Sequence, residues 1–209
     1  MTSLSGDDLN VEIERSLTAV LDRAAKELPE AKPLLDAIRE MLASGGKRLR
    51  PAFCYWGYRA TGAPHCDEIV AAAASLELLH SFALIHDDVM DMAEIRRGRP
   101  TINTSLGDPF AILAGDLALI LADDAFVNSG FSQDRVVRAF GAYSRMRQEV
   151  IAGQLLDITA AARTQTVTDA RRMALLKSGR YTVSEPLVIG CLFGGSASEL
   201  QTALSSIGD

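Results

Sequence analysis

The 209-residue chain is 48% hydrophobic and 23% charged, which suits a soluble globular protein in which residues 1–209 form one domain, or part of a larger one. Its net charge of −6, without a long run of either sign, gives no electrostatic case for a nucleic-acid partner. The three cysteines, Cys54, Cys66 and Cys191, are scattered without metal spacing, so free thiols and a reducing, cytoplasmic setting are expected.

The opening MTSLSGDDLN is polar and acidic, unlike a signal or transit peptide. Apolar residues at Leu9, Ile13, Leu17, Val20, Leu21, Ala24 and Leu28 predict a helix over 8–28. Pro29 to Pro33 punctuates the chain, and a helix over 34–44 is ended by Gly45–Gly46. Pro51 opens a helix reaching about Ala60, and TGAPH is a loop. A long Ala- and Leu-rich helix is predicted from Asp67 to roughly Met92, followed by helices over 106–127, 134–162, 168–190 and 197–206. GFSQD and the stretch around TQTVTD are breaks. The most apolar stretch, 109–126, is interrupted by Asp116 and then Asp123–Asp124, so no transmembrane segment is expected. There is no alternating β pattern and no repeat. The predicted fold class is all-α, a large bundle of long helices with apolar central members.

Three carboxylates sit at the end of the long apolar helix. Asp87 and Asp91 lie one turn apart on a face, and Asp88 flanks them. Acids at a helix C-terminus oppose the macrodipole, so a cation is needed to hold them there. His80 extends the stripe of Asp87 and Asp91 to about 16 Å at 1.5 Å per residue. Paired hard oxygens suit Mg²⁺, which fills its shell with water and phosphate oxygens. Two cationic turns follow the same logic. Arg96 and Arg97 in RRGRP offer guanidinium forks to phosphate, and GGKRLRP places Lys47 and Arg50 beside glycines that allow close approach. A metal-bridged anion site and a metal-free one point to phosphate-rich substrates.

GGKRLRP (45–51), ELLHSFALIHDDVMD (77–91), RRGRPT (96–101), LAGD (113–116), GQLLD (153–157) and KSGRYT (177–182) together resemble the trans-isoprenyl diphosphate synthases, or polyprenyl synthetases. The resemblance covers most of the chain. It implies an isoprenoid-synthase bundle around a central cavity, a homodimer, and a Mg²⁺-assisted condensation of isopentenyl diphosphate with an allylic diphosphate. By it, Asp87 and Asp91 hold metal, with Asp88 and Asp157 in the outer shell. Lys47, Arg50, His80 and Arg97 hold isopentenyl diphosphate; Arg96 and Lys177 hold the allylic diphosphate. Gln154 faces the cavity, and Ser178 keeps the hydroxyl where the family usually has threonine. Tyr181 is expected in the core, and Asp116 is expected to cap or orient a helix. The family's C15 producers carry aromatics at the fourth and fifth positions before the first aspartate. Here those positions are Ala83 and Phe82, which with Leu79 resembles a C20, geranylgeranyl diphosphate, producer.

The family's second aspartate-rich motif has no match, and the chain ends at SSIGD before the helix that would carry it. The expected reading is therefore a prenyltransferase chain lacking its C-terminal helices. The alternative is a non-catalytic member that retains a diphosphate-binding half-site. A terpene cyclase shares the acidic motif but has no use for the second diphosphate set of Lys47, Arg50 and Arg97.

Overall fold

Helix α1, Gly6–Glu27, starts where the Ser5 hydroxyl accepts a hydrogen bond from the Asp8 amide at 3.2 Å, with Asp7 and Asp8 in its first turn. Its buried face is Leu9, Ile13, Leu17, Val20, Leu21 and Ala24, the stripe the sequence predicts. The computed structural model to which this helix belongs describes residues 4–160, 164, 166–195 and 198–207. A 3₁₀ turn, Pro29–Ala31, leads into α2, Lys32–Ala43. Then come α3, Leu49–Arg59, and α4, Asp67–Met90. A hairpin of β1, Ile95–Arg96, and β2, Arg99–Pro100, precedes α5, Ile102–Leu106, and α6, Asp108–Val127. The remaining helices are α7, Gln133–Ala160, α8, Val167–Ala174, α9, Glu185–Gly194, and α10, Ser198–Ser205. The predicted helix ends at 161–162 and the predicted start at 197 lie outside the described residues.

Three local features differ from the sequence reading. The hairpin pairs Ile95 with Pro100 and Arg96 with Arg99, and its two-residue strands are too short to show alternation. Arg97 and Gly98 at its tip have φ of 50° and 74°, the paired positive values of a primed turn. A short helix that the sequence reading lacks, α5, precedes the predicted helix 106–127, which starts at Asp108 after Gly107, at φ 91°, ends α5. The predicted helix 168–190 is broken by a π-helical segment, Leu175–Ser184, before α9 begins. Pro186 supplies the reason: in a continuous α-helix its ring meets the carbonyl four residues back, and a wider turn before it avoids that clash.

The chain divides into two compact units, residues 4–48 with 70–129, and residues 49–69 with 130–207. In the first, α1 packs on α2 and α2 on α6. Helix α6 turns its alanines inward (Ala111, Ala114, Ala118, Ala122, Ala125), leaving Phe110, Ile112, Leu113 and Ile120 exposed. In the second, α3 packs on α9 and α7 on both the π segment and α9. Contact between α3 and α9 is set by glycine. A Cβ on Gly190 would lie 1.8 Å from the Cys54 carbonyl oxygen, and one on Gly57 would lie 2.1 Å from that of Leu187. Among the described residues α4 alone is long and apolar enough to cross a membrane, and 67% of its apolar window is buried within the protein, as in a core helix.

Candidate functional site

In the first unit, the turn at the end of α4 separates the three acids by burial. The Asp91 amide still donates to the Asp87 carbonyl at 2.8 Å, so the two residues share a face one turn apart. Met92, at φ 51°, then ends the turn. Asp88, next to Asp87 along the chain, is buried. Its carboxylate receives Arg96 Nε at 2.8 and 2.9 Å and Arg96 Nη2 at 2.8 Å, a bidentate pair. That hydrogen bond raises the Arg96 pKa above its ordinary value against the opposing effect of burial. Arg96 Nη2 also lies 3.7 Å from Asp87. A cleft of about 420 Å³ runs beside the pair, lined by Pro33, Asp36, Met41, Ser44, Asp88, Arg96 and Thr101 among others.

The chemistry of this turn fits a magnesium ion. Asp87 is half-buried and Asp91 exposed, two hard oxygen donors on one turn. Among the described residues no three His, Cys, Asp or Glu side chains gather into a protein-only cage. Mg²⁺ asks for one or two carboxylates and takes its other ligands from water and phosphate.

The basic turn between α2 and α3 is strained into shape. Gly45, Gly46 and Arg48 have φ of 93°, 156° and 47°. Arg97 Nη1, from the hairpin tip, donates to the Gly45 carbonyl and to the Ser44 hydroxyl, the latter at 3.4 Å. Lys47 is exposed, and His80 is half-buried on α4. Arg48, which sequence reasoning passed over, is buried and bonded to Glu14, Glu77 and the Leu42 carbonyl. One signal for it was available: Glu77 is an acid inside an otherwise apolar helix, which demands a buried cation.

His86 was also missed. Its Nε2 lies 3.1 Å from the Ile112 carbonyl and 3.6 Å from Asp116, with Phe82 edge-on at 4.8 Å. Gly115 makes the room, since a Cβ there would lie 2.2 Å from the His86 ring. The LAGD motif thus serves packing of α6 on α4, and Asp116 faces His86. Of the three residues expected from the resemblance to set chain length, Leu79 is enclosed in the core, while Phe82 and Ala83 are half-buried.

The second unit holds the other motif residues. Lys177, on the π segment, is paired with Asp157 of α7 at 2.5 Å. Gln154 is half-buried one turn before Asp157, and Ser178 is exposed. Gly153 of the same motif has a packing role, because a Cβ there would meet the Lys177 amide nitrogen at 2.5 Å. Arg50 donates to the Thr182 hydroxyl at 2.8 Å and lies over the Tyr181 ring at 4.2 Å. Tyr181 is buried, in keeping with its expected core place.

Comparison with known proteins matches residues 31–209 to the polyprenyl synthetase family. A geranylgeranyl diphosphate synthase of Methanosarcina mazei is 35% identical over 192 residues, covering 90% of this chain and 59% of that protein. A (2E,6E)-farnesyl diphosphate synthase of Mycobacterium bovis is 36% identical, over 78% of this chain and 45% of that one. A geranylgeranyl pyrophosphate synthase of Corynebacterium glutamicum, solved with isoprenyl diphosphate and magnesium, superposes with a TM-score of 0.93 at 30% identity. That match covers 98% of this chain and 65% of that one. This chain therefore spans less than two thirds of the length of these relatives.

Proposed function

The chain belongs to the polyprenyl synthetase family, and from that premise we propose that it serves trans-prenyl transfer, condensing isopentenyl diphosphate with an allylic diphosphate to give geranylgeranyl diphosphate. The observation that carries this reading is the division of the acids. Asp88 is buried in a close ion pair with Arg96, and the less buried Asp87 and Asp91 lie one turn apart on one face.

In this reading Asp87 and Asp91 seat magnesium with the allylic diphosphate. When bound, the metal supplies positive charge that stabilises the departing diphosphate. Arg96 and Lys177 bind the same diphosphate, with Ser178 and Gln154 among the substrate contacts. Lys47, Arg50, His80 and Arg97 bind isopentenyl diphosphate without metal. Asp88 and Asp157 hold Arg96 and Lys177 in place through their ion pairs. The allylic C–O bond breaks, releasing diphosphate. The isopentenyl double bond then forms the new C–C bond to the allylic carbon, and loss of a proton restores a double bond. Prearranged cations at the leaving oxygens are the protein's main contribution.

The C20 product rests on small Ala83 and aromatic Phe82 one turn and five residues before Asp87. Relatives include both farnesyl and geranylgeranyl synthases, so this assignment is finer than family membership. A homodimer is supported by the exposed apolar residues Phe110, Leu113 and Ile120 along α6, and a cytoplasmic setting by three free thiols. The second reading, diphosphate binding without turnover, draws on the absence of a second aspartate-rich motif from these 209 residues. Product formation by the purified chain favours the first reading; binding without product favours the second.

Asp87→Asn tests the metal seat. Calorimetry of an allylic diphosphate analogue should show magnesium-dependent binding in the parent and none in the variant, because the amide keeps the shape and removes the charge. Unchanged binding would rule out the role of Asp87.

A further inference from the structure

Arg48 is a buried basic residue of the GGKRLRP motif for which diphosphate chemistry leaves no role. It is only 5% exposed, so it cannot present its charge to a ligand. Its backbone has a φ of 47°, a conformation that residues with a Cβ avoid. Both features mark a residue held in place by its surroundings.

Its partners come from three helices. Nε donates to Glu14 of α1 at 2.7 Å, Nη2 to the Leu42 carbonyl at 2.7 Å, and Nη1 to Glu77 of α4 at 2.5 Å. Leu42 lies in the last turn of α2, where carbonyls lack helical partners and a cation is favoured. Glu77 is itself buried, so each charge answers the other. Burial works to lower the Arg48 pKa, and the two carboxylates more than offset it, leaving the pKa raised. A planar guanidinium alone can reach three acceptors at once; a lysine ammonium in the same place cannot span them.

The turn is also clasped from outside. A Cβ built on Gly46 would lie 3.4 Å from the Arg97 guanidinium and 3.5 Å from that of Arg48. The backbone of residues 45–46 therefore runs between an inward guanidinium that ties it to α4 and an outer one from the hairpin. Lys47, between Gly46 and Arg48, is left exposed. Glu77 sits one turn before His80 and ten residues before Asp87 on the same helix.

We propose that Arg48 is a positioning residue: by pinning the 44–48 turn to α4 through Glu77, it sets Lys47 and Arg97 in register with His80 and the acid turn for a diphosphate bound without metal. The proposal rests on the prenyl-transfer reading and deepens it, because it explains why a buried arginine stands between two ligand-facing positions.

The test uses the 209-residue chain, with inorganic diphosphate in magnesium-free buffer as the probe. Arg48→Lys keeps the charge and loses the fork. It should speed amide hydrogen exchange across 44–50 and weaken magnesium-free diphosphate binding about tenfold or more, as expected for loss of charge-assisted hydrogen bonds. Magnesium-dependent binding of an allylic diphosphate analogue should be little changed. Glu77→Gln, which keeps shape and loses charge, should act in the same direction and serves if Arg48→Lys does not fold. Unchanged exchange, or faster exchange with unchanged diphosphate affinity, overturns the proposal. Equal loss of both kinds of binding would mark Arg48 as a general stabilising residue and also overturn it. Lys47→Ala separates the two levels. If it leaves magnesium-free binding intact, the anion-site reading falls and the positioning role with it. If Lys47→Ala weakens binding and Arg48→Lys does not, only the positioning role falls.

Discussion

Asp88→Asn separates holding the turn from the metal seat proposed at Asp87 and Asp91. In the parent, the Asp88 carboxylate accepts three close approaches from Arg96, and its side chain is only 4% exposed. The substituted amide keeps the volume but sets an N–H₂ group, a donor, against guanidinium donors. Loss of charge-assisted hydrogen bonds costs roughly 1.5–3 kcal/mol, and breaking a wholly buried pair about 3–5 kcal/mol. Arg96 keeps 29% of its side chain exposed and has Asp87 at 3.7 Å, so water and the neighbouring acid recover part of the loss. A net cost of about 2 kcal/mol follows, or about 4–8 °C in melting temperature for a chain of this size. Scanning calorimetry of both aspartate variants measures it. Asp87→Asn should lower stability by no more than about 1 kcal/mol, since its ion pair is longer and more exposed. A melting temperature unchanged in Asp88→Asn, or an equal fall in both variants, would refute the assignment of the buried, close ion pair to Asp88 alone.

Gly190→Ala should destabilise by about 2 kcal/mol or more, because overpacking against the Cys54 backbone outweighs the ~1 kcal/mol gained in helix propensity. Thermal melting followed by circular dichroism checks it, and an unchanged midpoint would contradict the close contact of α3 with α9. Under the proposed prenyl transfer, Ala83→Phe should shorten the product toward C15 by placing a ring one turn below Asp87. Chromatography of the products showing no change would remove Ala83 from the measure of chain length.

The helices and the motif faces were legible in the sequence because both depend on residues near one another along the chain. The spacing of Leu9, Ile13 and Leu17 defines a buried face wherever α1 packs, and Asp87 and Asp91 share a face in any α-helix. The acid–arginine pattern on which the proposed anion chemistry rests is likewise local, from Asp87 to Arg97. Partner choice was a different matter, because it depends on segments far apart in sequence. Spacing could place Asp88 beside the other acids but could not show that it turns inward to a hairpin arginine eight residues on. Nothing near Arg48 along the chain marks it, and its partners Glu14 and Glu77 stand 34 and 29 residues away. The π turn before Pro186 and the primed turn at Arg97–Gly98 were hidden for a related reason, since each is a short deviation within a pattern that local propensity reads as regular. Local periodicity determines which residues share a face; only the packed chain decides which buried charge meets which, because that choice is made by desolvation and by the geometry of distant helices.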